Sequence, residues 1–127
     1  MNRTIKQLIK SAIKQISKAM VQTSPGRKIL EQAICVAMNE TRCIRHNGID
    51  LEFCVPNRIN YFRSETFSTK EPETLEWINS IPQGSVLWDI GANVGLYSCY
   101  AAKARDCQVF SFEPSVFNLE QLARNRF

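Results

Sequence analysis

Apolar residues recur three and four positions apart at Ile5, Leu8, Ile9, Ala12, Ile13, Ile16, Ala19 and Met20, which predicts an amphipathic helix over residues 3–22. Lys6, Lys10, Lys14 and Lys18 repeat every fourth position and form a second stripe beside the first. Thr23-Ser24-Pro25-Gly26 interrupts the pattern. Pro25 then starts a second helix carried by Ile29, Leu30, Ala33, Ile34, Ala37 and Met38. From Cys43 the period shortens to two. Asn47-Gly48 divides Cys43-Ile44-Arg45-His46 from the alternating run Ile49 to Val55, a hairpin pattern with a two-residue turn that sets Arg45 opposite Asp50. Pro56 ends the second strand. Glu71-Pro72-Glu73 opens a helix through Leu75, Trp77 and Ile78, and Pro82-Gln83-Gly84 turns the chain onward.

The run Val86-Leu87-Trp88-Asp89-Ile90 then reads as a buried strand that enters the turn Gly91-Ala92-Asn93-Val94-Gly95. Leu96 to Ala104 suits a helix, Gln108 to Phe112 a second buried strand, and the acid Glu113 stands at its end. Strand, glycine turn, helix, strand and acid make half of a mononucleotide-binding unit. Trp77 and Trp88 each lie within an apolar run and are expected to fill the core.

Charge discriminates among nucleotides. A dinucleotide brings its pyrophosphate against the glycine turn and helix N-terminus, where a carboxylate at Asp89 would repel it. S-adenosylmethionine has no phosphate and presents a cationic sulfonium and an ammonium, which the same carboxylate favours. The glycines stand as Gly91-x-x-x-Gly95, without the third glycine of a dinucleotide fingerprint. Glu113 follows Gly91 by 22 positions (91 to 113), near the roughly 20-residue offset at which an acid reaches a ribose. Asn93 tolerates unusual turn dihedrals, so its place is explained by shape as readily as by contact.

The run WDIGANVGLYSCYAAKARDCQVFSFEPSVFNLEQLARN, with its D-I-G-A-N-V-G-L-Y-S turn and F-E-P-S element, resembles the first half of the FkbM-type methyltransferases. Upstream, Phe62-Arg63-Ser64-Glu65-Thr66-Phe67 and Lys70-Glu71-Pro72-Glu73-Thr74-Leu75 look like the segment before the turn in that family, and the similarity extends from about Ile44 to Asn125. The resemblance implies a Rossmann-like α/β fold and methyl transfer from S-adenosylmethionine, most often to a hydroxyl oxygen of a sugar, lipid or polyketide-like acceptor. It implies that Asp89, Gly91, Asn93 and Gly95 line the methionine end of the cofactor, that Glu113 holds the ribose, and that Pro114 and Ser115 lie beside the adenine. Only two strands of the larger sheet such enzymes build fit before Phe127. The chain is therefore expected to be a fragment truncated after the second core strand, with catalytic and acceptor-binding residues outside it.

Composition adds bounds rather than function. At 127 residues with 44% apolar and 22% charged content, the chain is an ordinary globular sequence. The net charge of +4 conceals an asymmetry: the first thirty residues hold seven basic side chains and no acid, leaving the rest at −3. Nucleic-acid binding by the later part is disfavoured. The basic helix suits an anionic membrane or a partner helix, against the ordinary alternative of a surface helix packed on its own domain. Cys35, Cys43, Cys54, Cys99 and Cys107 show no C-x-x-C pair, so they are expected to be reduced and buried, with no metal site. No run reaches the roughly 20 apolar residues of a membrane span, and a cytoplasmic setting is the expectation. His46 beside the hairpin turn is expected to be an exposed imidazole without a catalytic role. Lys70, Glu71 and Glu73 either reach the methionine end or serve as first-turn charges of their helix.

The expected organisation is a basic helix over 1–24, a helix, hairpin and pre-motif helix over 25–82, and an incomplete cofactor domain over 83–127. Two other functions fit some of these features: a non-catalytic fragment that attaches through its basic helix, and an NAD-binding oxidoreductase half-domain. Asp89 and the absent third glycine oppose the second.

Overall fold

A computed structural model describes residues 3–125; positions 1, 2, 126 and 127 lie outside the described residues. The described chain is mixed α/β, with seven helices and two two-stranded sheets. It divides into two compact units, Met1–Ala37 and Met38–Phe127.

The first unit holds helix α1 (Arg3–Val21) and all but the last residue of α2 (Ser24–Met38). Gln22 and Thr23 join them. The Thr23 hydroxyl donates to the Met20 carbonyl and accepts the Gly26 amide, each at 3.2 Å, so one side chain serves the end of α1 and the start of α2. A side chain at Gly26 would collide with the Met20 carbonyl. The two compact units part after Ala37, one residue before the end of α2.

The second unit begins with the antiparallel hairpin of β1 (Thr41–His46) and β2 (Ile49–Cys54). Asn47 (φ 47°) and Gly48 (φ 79°) both take positive φ, as a two-residue primed turn requires. Arg45 pairs with Asp50 as the register predicts, with Nε 2.9 Å from Oδ1. After Pro56, Asn57 accepts the amides of Ile59 and Asn60 and caps α3 (Arg58–Glu65). The short α4 (Phe67–Lys70) and α5 (Pro72–Ser80, proline at its start) follow. Strand β3 (Val86–Ile90), helix α6 (Leu96–Arg105) and strand β4 (Gln108–Phe112) form a parallel β-α-β unit, and α7 (Val116–Arg124) closes the described chain.

Helix α6 is the hub, packing against β2, β3, β4 and α5. Its buried Cys99, Tyr100 and Ala101 join Leu51 and Phe53 of β2, Phe67, Leu75 and Ile78 in one core. Tyr100 is fully enclosed, with its hydroxyl donated to Asn79 Oδ1 at 2.8 Å. The β3–β4 sheet turns Leu87 and Val109 toward this core. Val86, Trp88, Ile90, Phe110 and Phe112 lie on its other face and are exposed. Trp88 is 65% exposed and Trp77 55%, which corrects their expected place in the core. An apolar run marks a strand but does not say how many of its faces find a partner.

The cysteines also divide. Cys99 and Cys107 are buried as expected, Cys54 is half-buried, and Cys35 and Cys43 are exposed, because the hairpin alternation and the loosely packed α2 turn those two outward. His46 departs from its expected exposure. It is half-buried, hydrogen-bonded to Ser68 Oγ at 2.9 Å, with its ring edge-on to Phe67 and Tyr100.

Candidate functional site

Beyond the carboxyl end of β3 the backbone turns through Gly91 (φ 85°), Asn93 (φ 55°) and Gly95 (φ 80°) before α6 begins. At Gly91 an added Cβ would meet nothing within 4 Å, so the space beside the turn is open. Gly95 has a different reason. A Cβ there would collide with Leu122 of α7, and its φ is one that side-chain-bearing residues rarely adopt. Gly91 leaves room for a ligand, whereas Gly95 lets a helix approach.

Four of the turn's five amides are used within the chain. Gly91 and Ala92 donate to the Phe112 carbonyl at 2.8 and 3.0 Å, Gly95 donates to Ala92 at 2.8 Å, and Asn93 donates to Glu113 Oε2 at 2.8 Å. Glu113 Oε1 accepts the Ser115 amide at 2.8 Å and the Asn118 side chain at 3.3 Å. This carboxylate therefore clamps the turn after β3 to the loop after β4. Its pKa is held below the ordinary range, first by the Ser115 amide, then by Asn118, the Asn93 amide and the charge of Arg63, with desolvation opposing.

Asp89, on the inward face of β3, accepts the Ser98 hydroxyl at 2.5 Å, and Ser98 Oγ also lies 2.7 Å from Ser111 Oγ. The three residues sit on β3, α6 and β4, so the network fixes the carboxylate against all three elements of the β-α-β unit. Asn125 anchors the turn from outside. Its side chain donates to the Val94 carbonyl at 2.6 Å and accepts the Cys54 amide at 2.7 Å, tying the turn to the hairpin.

A cavity of about 300 Å³ opens over the turn. Its lining includes the charged and polar Arg63, Lys70, Glu71, Asp89, Asn93 and Tyr97 beside apolar wall such as Phe67, Trp77 and Leu96, with Gly91 of the turn and Thr74. Two cations and two carboxylates thus meet around one small space. Lys70 Nζ lies 3.5 Å from Glu71 Oε1. The Tyr97 phenol is pushed up to about 12, by burial first and then by the charge and hydrogen bond of Glu71, with a contribution from Glu73. It stays protonated and serves as a donor.

The expected site residues therefore fall into two groups. Asp89, Gly91 and Asn93 line the cavity; Gly95, Glu113, Pro114 and Ser115 do not. Glu113 is joined to it through the Asn93 amide. Lys70 and Glu71 reach the cavity, as one of their two readings required, while Glu73 stays off its wall. Arg63, Thr74 and Tyr97 also line it; they lie within the segments that carry the resemblance but are not among the expected site residues.

No family model, curated protein or solved structure matches the chain. No helix among the described residues is long and apolar enough to cross a membrane.

Proposed function

We propose that this chain carries the S-adenosylmethionine-binding part of a Rossmann-like methyltransferase of the FkbM type, acting on a hydroxyl of a sugar, lipid or polyketide-like acceptor. The observation that carries the reading is the carboxylate of Asp89 at the cavity wall, beside a turn in which the Gly91, Ala92, Asn93 and Gly95 amides already donate within the chain. A carboxylate at this position repels a pyrophosphate and favours a sulfonium and an ammonium.

The donor set fits the methionine end of that cofactor. Asp89 and Glu71 complement its cationic groups, Lys70 and Arg63 its carboxylate, and the apolar wall its thioether stem. When bound, the cofactor supplies an electrophilic methyl group. The residues of this chain would bind and orient it and exclude water, which is the larger part of what a protein contributes to an in-line displacement. By the resemblance Glu113 would hold the ribose; its carboxylate stands off the cavity wall and is joined to it through the Asn93 amide, so the ribose would extend past the cavity toward it.

Calorimetric titration of the chain with S-adenosylhomocysteine and with NAD tests the proposal. The homocysteine compound should bind and NAD should not. Asp89→Asn, which keeps an acceptor for Ser98, should weaken binding by about 1.5–3 kcal/mol, the range for hydrogen bonds to a charged group. Binding of NAD, or an unchanged affinity in Asp89→Asn, would transfer the site to the oxidoreductase reading or remove it.

A further inference from the structure

Helix α1 is amphipathic in sequence and uncovered in structure. Ile5, Leu8, Ile9, Ile13 and Ile16 are between 46% and 65% exposed, and no residue of the helix is buried. At about 100° per residue the apolar positions span an arc of about 140°. Lys6, Lys10, Lys14 and Lys18 run along one flank of that arc. None of the four forms an ion pair among the described residues, and the helix contains no acid.

We propose that α1 lies in the plane of an anionic lipid surface, with its isoleucine arc in the acyl boundary and its lysines at the headgroups. Charge complementarity selects this occupant: four unpaired cations beside an apolar face match an anionic interface, and an unbroken cationic flank repels a second copy of itself. Shape agrees. Leu8, Ile13 and Met20 widen the stripe beyond the narrow seam of a two-stranded coil, as a flat interface requires. The helix lies on the surface rather than crossing it, because lysine at every fourth position leaves no span.

Vesicle flotation of the full chain tests this, since bound protein rises with the lipid while aggregate sinks. The chain should float with phosphatidylcholine vesicles containing about 30% phosphatidylglycerol, and not with phosphatidylcholine alone. Raising NaCl from about 50 mM to about 0.5 M should lower the bound fraction about tenfold. Replacing Lys6, Lys10, Lys14 and Lys18 by glutamine keeps helix propensity and should abolish flotation, as should Ile9→Ser with Ile13→Ser. Equal flotation with neutral vesicles, or flotation retained in the glutamine variant, would overturn the proposal. So would self-association that is lost in Ile9→Ser with Ile13→Ser while the chain floats with neither lipid, because a second copy would then cover the stripe.

Discussion

Glu113 Oε2 accepts the backbone amide of Asn93 at 2.8 Å, so the acid at the end of β4 fixes the turn at the end of β3. Its other oxygen holds Ser115 and Asn118. Because these donors lower the folded-state pKa, the clamp stabilises the fold above the unfolded glutamate value of about 4.3 and loses that contribution as pH falls through the lower folded value. The amide resonances of Asn93 and Ser115 should titrate together with a midpoint below about 4.3. A midpoint at or above that value would mean the carboxylate is not held by these amides.

Asn125 should be worth more to stability than any charged residue of the site. It is buried, and truncation to alanine strands the Val94 carbonyl and the Cys54 amide together. Each buried group left without a partner costs about 1–3 kcal/mol, so Asn125→Ala should lose roughly 2 kcal/mol or more in urea unfolding. A loss under about 0.5 kcal/mol, the scale of a surface substitution, would remove it as an anchor.

Thiol reactivity should sort by position. Cys35 and Cys43 should react with iodoacetamide in the folded chain, Cys54 more slowly, and Cys99 and Cys107 only on unfolding. Cys99 is doubly protected, since burial foremost, with Asp89 nearby, pushes its thiol up to about 12. Peptide mapping that finds Cys99 modified before Cys43 would contradict the packing of α6.

The uncovered sheet face should bind hydrophobic dyes. Val86 and Ile90 are 60% and 79% exposed on that face. Val86→Thr with Ile90→Thr keeps strand propensity and removes apolar surface, so the double variant should bind less anilinonaphthalene sulfonate and aggregate less. Unchanged dye fluorescence would mean that the face is covered in solution.

The elements with clean periodicity were legible in the sequence. Strands 86–90 and 108–112 stand where their apolar runs place them, though with one face exposed where burial was expected, and the Arg45–Asp50 register stands where alternation and the Asn47-Gly48 turn place it. Helix α3 was not legible, because the side chains it buries are Asn60 and Ser64, which leave no apolar stripe to read. Within the site, Asp89 and the turn were legible because chemistry and spacing coincide over a few residues. Arg63 and Thr74 reach the same cavity from two other helices, and only tertiary packing relates them to Tyr97 and the turn. The outward turn of Trp77 and Trp88 was hidden for a related reason: hydrophobicity reports what a side chain prefers, not whether the fold covers it.

The most direct test of the cofactor reading is a titration of isotopically labelled chain with S-adenosylhomocysteine, followed through its backbone amide resonances. Shifts should concentrate at Asp89, Gly91, Ala92 and Asn93, with Lys70 and Tyr97 of the same cavity also responding, while NAD at the same concentration leaves the spectrum unchanged. An unchanged spectrum with S-adenosylhomocysteine, shifts confined to other residues, or a response of these same amides to NAD would contradict the account.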